Sequence, residues 1–346
     1  MTDYAQELRN NAKTMVSAGK GILAMDESNG TCNRRFEALG IPTTESYRRD
    51  YRELILTTPA LSDYVSGPIL YDETIRQSTA LGVPLLKVIA DAGMLPGIKV
   101  DTGAKDFSGH PGEKVTEGLD GLADRVAEYY QMGARFAKWR AVITIGDGLP
   151  SRACIEANAH GLARYAAICQ AGGLVPIVEP EVLIDGNHTM ARCYEVTDTT
   201  LHAVFHQLYM QDVAYDQMIL KPSMVVPGKA SGEEASVTDV AEMTIQYLLK
   251  NVPSTVAGIA FLSGGQTKEA SSAHLNEMNH RFGEQCPWPV TFSYARAIQQ
   301  PALEHWAGET SRVSEAQQRL LHRAKCNSLA SKGEYTSELE KQLALV

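Results

Sequence analysis

Ionisable side chains recur inside or directly after the apolar, strand-like runs of this sequence. Lys138 and Arg140 lie two residues apart in one run. Glu179 and Glu181 lie two apart in another, so each pair shares one face of a strand. Lys221 follows the apolar residues Met218–Leu220 of a third run, Lys99 and Asp101 are in phase in a fourth, and Asp26 closes a fifth. Because an unpaired charge in a protein core is energetically costly, this placement predicts one shared polar active site.

These residue types favour covalent chemistry by a lysine. A lysine that is desolvated beside a second cation has a lowered pKa, and its amine can attack a carbonyl carbon to form a Schiff base. Lys99, Lys138 and Lys221 supply candidate amines, and the neighbouring carboxylates can transfer protons.

The histidines argue against a catalytic metal. None of the nine belongs to a His-Glu-x-x-His or His-x-His motif. His202 and His206 share one helical face, but no carboxylate lies between them, so we interpret this pair as structural. We therefore expect an enzyme that needs neither a metal nor another cofactor.

Two segments late in the chain have the composition of a phosphate site. Ser263, Gly264 and Gly265 follow one apolar run, and Ser293–Arg296 closes the next. Small residues let backbone N–H groups approach an anion, and an arginine can bind it with two parallel hydrogen bonds. A Ser-Gly-Gly segment on its own is more often a simple turn, and the chain has no P-loop or dinucleotide fingerprint.

The elements that would position these residues alternate along the chain. Eight runs have the character of strands: Gly21–Asp26, Ser66–Tyr71, Gly97–Asp101, Arg135–Ile143, Leu174–Val182, Gln217–Met224, Gly258–Ser263 and Val290–Tyr294. Leu85–Asp91 competes with the third run for its place. Helical periodicity follows, as in Glu117–Met132, where Thr116 is the expected N-cap and Gly133 the C-terminal stop. The other helical patterns are Ala153–Ala171, Met190–Val213, Thr238–Lys250, Lys268–Phe282 and Ser314–Ala330.

Eight strand–helix units predict an α/β fold, a (β/α)8 TIM barrel with an extra C-terminal helix and tail. The carboxyl ends of all its strands would converge on one mouth, where barrel active sites are built. An open, doubly wound parallel sheet is the alternative. We expect one domain over residues 1–346, with a mobile C-terminal tail from about residue 331.

Composition narrows the class of protein further. A net charge of −9 and a pI of about 5.5 argue against a nucleic-acid binder. No apolar run reaches the roughly 18 residues that would span a membrane, and Met1–Lys13 lacks the apolar core of a secretory signal. The six cysteines form no Cys-x-x-Cys pair, which favours reduced thiols in a cytoplasmic protein.

Seven segments are long enough to be compared with known families. They are Leu23–Ser28, Gly97–Asp101, Phe136–Arg140, Val178–Glu181, Leu220–Pro222, Phe261–Gln266 and Phe292–Arg296. In this order they resemble the class I, Schiff-base-forming fructose-bisphosphate aldolases. The resemblance extends from about Ala18 to Thr336, and Val115–Gly121 favours the plant and bacterial branch.

The resemblance implies a role for each residue of the central set. Lys221 matches the lysine that forms an imine with the substrate ketone, and Glu179 matches the acid/base that dehydrates the carbinolamine. Asp26 matches the base that takes the C4 hydroxyl proton while the C3–C4 bond breaks. Lys138 matches a lysine that tunes the site and contacts substrate, and Glu181 matches a supporting carboxylate.

The resemblance also implies two phosphate regions. Residues matching the C1-phosphate loops are Ser263, Gly264, Gly265, Ser293, Ala295 and Arg296. Residues matching the C6-phosphate region are Lys99, Arg140, Ser28, Thr31 and Arg35. The implied reaction is reversible cleavage of fructose 1,6-bisphosphate to dihydroxyacetone phosphate and glyceraldehyde 3-phosphate, in glycolysis, gluconeogenesis or the Calvin cycle. The implied partners are sugar phosphates and further copies of the chain in a homotetramer.

Three positions depart from the family pattern, and two other functions stay open. Ala295 stands where the family usually has glycine, and Thr31 where many relatives have serine. Many relatives end in a catalytic tyrosine, whereas this sequence ends Leu343–Val346 and its nearest tyrosine is Tyr335, which we assign to the hinge of the tail. Sedoheptulose 1,7-bisphosphate shares the C1-phosphate ketone end and is the alternative substrate. A non-catalytic scaffold on the same barrel is the alternative outside enzymes.

Overall fold

The computed structural model describes residues 4–341 and contains a closed barrel of eight parallel strands. The barrel strands are β1 (Gly21–Ala24), β2 (Val65–Leu70), β3 (Gly97–Lys99), β6 (Phe136–Ile143), β7 (Val175–Val182), β8 (Ile219–Leu220), β9 (Gly258–Phe261) and β10 (Val290–Tyr294). Around the barrel they follow the order β1-β10-β9-β8-β7-β6-β3-β2. A separate antiparallel hairpin consists of β4 (Gly103–Asp106) and β5 (Lys114–Glu117).

Helices surround the barrel. They are α1 (Ala5–Met15), α2 (Asn29–Glu37), α3 (Glu45–Leu56), α4 (Asp72–Ile75), α5 (Leu85–Asp91), α6 (Leu122–Met132), α7 (Arg152–Ala171), α8 (Met190–Met210), α9 (Val237–Asn251), α10 (Lys268–Phe282), α11 (Arg296–Trp306), α12 (Val313–Ala330) and α13 (Glu338–Lys341). The TIM-barrel prediction is confirmed, and the open-sheet alternative is wrong. Leu85–Asp91, which competed for the third strand, is helical.

One predicted helix begins later than expected. The Glu117–Met132 pattern becomes a helix only from Leu122, because Lys114–Glu117 pairs with the preceding strand as a hairpin. Thr116 is therefore not an N-cap: its hydroxyl donates a hydrogen bond to the backbone oxygen of Arg140 over 2.8 Å. The predicted stop at Gly133 is confirmed, with a φ of +118° that favours glycine.

The amino end of the barrel is filled with apolar side chains. Leu8, Ala12 and Met15 of α1 pack in one cluster with inward-facing strand residues such as Phe136 and Ile177. The Phe136 ring is accommodated because Gly97 has no side chain, since a β-carbon there would lie 2.1 Å from the ring. This apolar floor leaves the carboxyl end as the mouth. Residues two apart in a strand share one face, so the ionisable residues that follow these apolar residues along each strand lie above the floor.

The C-terminal part folds back onto the barrel. The predicted additional helix is α12, and residues 342–346 of the predicted tail lie outside the described residues. Tyr335 is buried, and its hydroxyl donates to Glu340 over 2.9 Å. All six cysteines are unpaired thiols. Among the described helices, none has the length and apolar character needed to cross a bilayer.

Candidate active site

The mouth of the barrel holds a cavity of about 510 Å³. Every residue predicted for the site lines this cavity: Asp26, Ser28, Thr31, Arg35, Lys99, Lys138, Arg140, Glu179, Glu181, Lys221, Ser263, Gly264, Gly265, Ser293, Ala295 and Arg296. Each barrel strand except β2 contains at least one of these residues or ends at most two residues before one. A larger surface groove, about 840 Å³, contains His202 and His206, but no lysine lines it. The lysine and carboxylate chemistry is therefore concentrated at the mouth.

Four buried side chains form a row of alternating charge at the bottom of the cavity. Lys221 Nζ lies 3.2 Å from Glu179 Oε1, and Lys138 Nζ lies 3.5 Å from Glu179 Oε2. On its other side, Lys138 Nζ lies 2.7 Å from Asp26 Oδ2. Each of the four is at most 8% exposed, so the charges are shielded from water and compensate one another.

Two members of this row, Asp26 and Lys138, are held in their charged forms. Burial alone would raise the pKa of Asp26, but the ammonium of Lys138, with Lys99 and Lys221 beyond it, lowers that pKa well below its usual range. Burial alone would lower the pKa of Lys138, but Asp26 and Glu179 raise it well above its usual range. Asp26 is therefore a carboxylate and Lys138 an ammonium at neutral pH.

A second ion pair lies higher in the mouth. Arg140 Nε donates to Glu181 Oε2, and burial is outweighed by Glu181 and Glu179 so that the pKa of Arg140 is raised. The backbone N–H of Arg140 donates to Asp101 Oδ2 over 3.3 Å. Glu181 is thus occupied by Arg140 and orients the guanidinium towards the cavity that both residues line.

Two cations at the rim make no ion pair with any described residue. Arg296 is exposed at the start of α11, and Lys99 lies at the end of β3 with its Nζ 5.0 Å from the centre of the Tyr71 ring. The strand order places β9 and β10 across the barrel from β3 and β6. The mouth therefore offers one unpaired cation on each of two opposite sides.

The side of the mouth around Arg296 has the features of an anion site. The hydroxyl of Ser293 is buried and has no hydrogen-bond partner among the described residues. The N-cap of α11 is Ala295, whose side chain cannot cap the first N–H groups of the helix. Gly264 and Gly265 both have positive φ, +57° and +85°, in the turn facing this helix end. Free donors, a helix N-terminus and a guanidinium are the groups that bind phosphate.

Next to this anion site, after β1, lies a network that the sequence did not reveal. Glu27, which also lines the cavity, accepts hydrogen bonds from Arg35 over 2.5 Å and from Arg52 over 2.8 Å. Ser28 caps α2 by accepting from the backbone N–H of Thr31. Arg35 is thus positioned by Glu27 rather than free. Glu27 adjoins Asp26 in the sequence, but its partner Arg52 is on α3, so only the fold brings them together.

The described residues contain one group of three potential metal ligands. It consists of His322, Cys326 and Glu340, whose ligand atoms lie within 4.8 Å of one another. None of the three lines the mouth cavity.

A (β/α)8 barrel with buried lysines, carboxylates and an anion site at the carboxyl ends of its strands defines a barrel enzyme that acts on a phosphorylated carbonyl compound. Comparisons with known proteins narrow this class. The family described as "Fructose-bisphosphate aldolase class-I" matches residues 7–345. A probable fructose-bisphosphate aldolase class 1 of Xanthomonas campestris is 58% identical over 331 residues, which cover 95% of this chain and 98% of that protein.

Two further relatives agree. Fructose-bisphosphate aldolase 2, chloroplastic, of Pisum sativum is 49% identical over 99% of this chain and 97% of its own length. The solved structure of a Plasmodium falciparum fructose-bisphosphate aldolase, in complex with TRAP and a small-molecule inhibitor, has a TM-score of 0.95 at 43% identity, covering 97% of each chain. The chain belongs to the class I fructose-bisphosphate aldolase family. It is an aldehyde-lyase, and its reaction is the reversible, Schiff-base cleavage that defines this class.

Proposed function

We propose that Lys221 is the lysine that forms the Schiff base with the C2 carbonyl of fructose 1,6-bisphosphate. The observation that carries this assignment is the 3.2 Å contact of its buried Nζ with Glu179. Its backbone N–H donates to Val178 over 2.8 Å, so the residue is fixed against the neighbouring strand. Glu179 is the only carboxylate in an ion pair with Lys221 among the described residues.

The other two lysines fit the nucleophile's role less well. Lys138 contacts two carboxylates, which raise its pKa and keep its amine protonated, and a protonated amine cannot attack a carbonyl. Lys99 lies at the rim, only partly buried, over the Tyr71 ring. A role in holding substrate charge suits both lysines better.

The row of charges supports a sequence of proton transfers. Glu179 accepts a proton from the Lys221 ammonium, and the neutral amine attacks C2. Glu179 then returns the proton to the carbinolamine hydroxyl, which leaves as water and gives the iminium. Asp26, an anion in the free enzyme, accepts the C4 hydroxyl proton, and the C3–C4 bonding pair moves into the iminium to form an enamine.

The remaining steps release the two products in order. Glyceraldehyde 3-phosphate leaves first, because the other three carbons remain covalently bound to Lys221 as the enamine. The proton that Asp26 took up is then delivered to C3 of the enamine, directly or through water, which restores the Asp26 carboxylate. Water hydrolyses the resulting imine, releasing dihydroxyacetone phosphate and restoring Lys221. Lys138, an ammonium in the free enzyme, stabilises the negative charge that develops on the C4 oxygen as its proton leaves.

We assign the two phosphates to opposite sides of the mouth. The unpaired Ser293 hydroxyl, the α11 N-terminus and Arg296 support C1-phosphate binding beside the Ser263–Gly265 turn. Lys99 and Arg140 support C6-phosphate binding on the other side. Because the chain carries a net charge of −9, these local cations must hold a bisphosphate against the overall field. Sedoheptulose 1,7-bisphosphate would use the same C1 end, so comparing kcat/KM for the two substrates ranks them.

A pair of variants tests the nucleophile. Lys221→Met should abolish cleavage yet still bind fructose 1,6-bisphosphate in calorimetry, because the phosphate sites are intact. Lys99→Met is the matched control: it removes a lysine from the same cavity and should raise KM while turnover continues. Cleavage by Lys221→Met at more than about 1% of the original kcat would contradict the assignment, since general acid–base catalysis alone contributes about 100-fold or more.

We further infer a cytoplasmic, glycolytic or gluconeogenic enzyme that assembles as a homotetramer and binds neither nucleic acid nor membrane. The unpaired thiols and the acidic composition support the location and the absence of nucleic-acid binding. The family resemblance is the support for the tetramer. Light scattering coupled to gel filtration tests it: a mass near that of the 37.7 kDa chain would contradict the assembly.

A further inference from the structure

A lysine outside the predicted site lies next to the glycine turn. Lys229 is held on a segment that three backbone hydrogen bonds attach to the loop after β7. The donors are the N–H groups of Gly228, Lys229 and Ala230, and the acceptors are the oxygens of His188, Ile184 and Gly186, at 2.8 to 2.9 Å. The base of the Lys229 side chain is therefore fixed, although its segment has no regular secondary structure.

The ammonium of Lys229 shares a space with the guanidinium of Arg296. A β-carbon built on Gly265 would lie 3.0 Å from Lys229 Nζ and 3.5 Å from Arg296 Nη2. Both cations thus approach the same face of the Ser263–Gly265 turn, from two different loops. Gly265 has a φ of +85°, so its backbone conformation and this crowded space both favour glycine.

The ion pair that Lys229 makes in this structure is weak. Its Nζ lies 3.0 Å from Asp185 Oδ1, and the two side chains are 49% and 71% exposed. Exposed pairs of this kind contribute little to stability, because water competes for both partners. A phosphate dianion between Lys229 and Arg296 would offer the ammonium a more highly charged partner.

We propose that Lys229 is an additional ligand of the C1-phosphate, exchanging Asp185 for the phosphate when substrate binds. This inference rests on the proposed placement of the C1-phosphate beside Arg296. In this role Lys229 would discriminate phosphorylated from unphosphorylated ketones. The two neighbouring cations, Lys229 and Arg296, attract a phosphate anion but have no comparable attraction for an uncharged ketone. Because the lysine stays partly exposed, its removal should weaken phosphate binding by about fivefold to tenfold.

The test measures the ligand concentration at which half of the enzyme carries a Schiff base. Dihydroxyacetone phosphate and dihydroxyacetone are titrated separately, and borohydride trapping reports the occupied fraction. Lys229→Met should raise the half-saturating concentration of dihydroxyacetone phosphate about fivefold to tenfold and leave that of dihydroxyacetone unchanged. Lys229→Arg should restore tight binding, because it retains the charge. Equal weakening of both ketones would overturn the proposal, since it would indicate a general effect on the fold.

Two further variants, Asp185→Asn and Arg296→Ala, distinguish a failure of the Lys229 proposal from a failure of the C1-phosphate assignment. Asp185→Asn removes the ion pair but keeps the lysine, so dihydroxyacetone phosphate should bind at least as tightly. Weakening by Asp185→Asn equal to that of Lys229→Met would mean that the ion pair merely supports the loop. If Arg296→Ala weakens binding while Lys229→Met does not, Lys229 is not a ligand and the C1-phosphate assignment stands. If neither variant weakens binding, the C1-phosphate assignment itself is wrong.

Discussion

The assignment of the two phosphates to opposite sides of the mouth predicts different effects of two rim substitutions. Dihydroxyacetone phosphate carries only the C1-phosphate, whereas fructose 1,6-bisphosphate carries both. Arg296→Ala should therefore weaken both ligands. Lys99→Met should weaken the bisphosphate alone, because Lys99 lies at the end of β3, across the barrel from β9 and β10.

The expected size follows from the state of each cation before binding. Arg296 makes no ion pair within the described part of the chain, so binding phosphate breaks no existing pair. A charge-assisted hydrogen bond is worth about 1.5 to 3 kcal/mol, and the exposure of Arg296 places it towards the lower half of that range. A loss of about 2 kcal/mol corresponds to roughly 30-fold in affinity. Lys99 can make only a point-charge contact, so we expect about tenfold.

Calorimetric titration measures the affinity for dihydroxyacetone phosphate, and steady-state kinetics give KM for the bisphosphate. Unchanged affinity of Arg296→Ala for dihydroxyacetone phosphate would refute the C1-phosphate assignment. Weaker binding of dihydroxyacetone phosphate by Lys99→Met, to the same extent as by Arg296→Ala, would refute the division of the mouth into two sides.

Three further outcomes follow. Cleavage should persist in excess EDTA, because a lysine supplies the electron sink; a loss that zinc restores would indicate a metal mechanism. Tyr335→Phe should change kcat less than about tenfold, because the buried hydroxyl is bound to Glu340; a fall of about 100-fold with trapping intact would give it a catalytic role. Burial alone would raise the pKa of Glu340, but contacts with His322, Arg323 and Tyr335 lower it to about 2. Its stabilising contribution is thus complete above about pH 4.5 and lost towards pH 2, so Glu340→Gln should lower the melting temperature at pH 7 and less so at pH 3.5. An equal drop at both pH values would contradict this linkage.

The charged faces of the strands were predictable because side chains alternate with a strict period of two. Lys138 with Arg140 and Glu179 with Glu181 follow from that period alone, and barrel topology brings them to one mouth. The pairing of Lys138 with Asp26 at 2.7 Å was not predictable, because it depends on where β1 and β6 lie around the closed barrel.

The electrostatics of the lysines also differ from the expectation based on sequence. Neighbouring lysines were expected to repel one another and so lower one another's pKa. Instead carboxylates lie between them, and the pKa of Lys138 is raised.

Thr116 was expected to cap a helix, yet the local pattern gave no sign of the hairpin that occupies Lys114–Glu117. Lys229 stands outside every recognisable strand, so only the folded loops place it beside Gly265.

Borohydride reduction in the presence of dihydroxyacetone phosphate, followed by peptide mapping, identifies the lysine that attacks the substrate. Reduction converts the imine into a stable secondary amine, which marks the attacking lysine with the three carbons of the substrate. We predict that the mark is found on Lys221, whose buried Nζ contacts Glu179 over 3.2 Å. Recovery of the mark on Lys138 or Lys99 would contradict the assignment of the nucleophile.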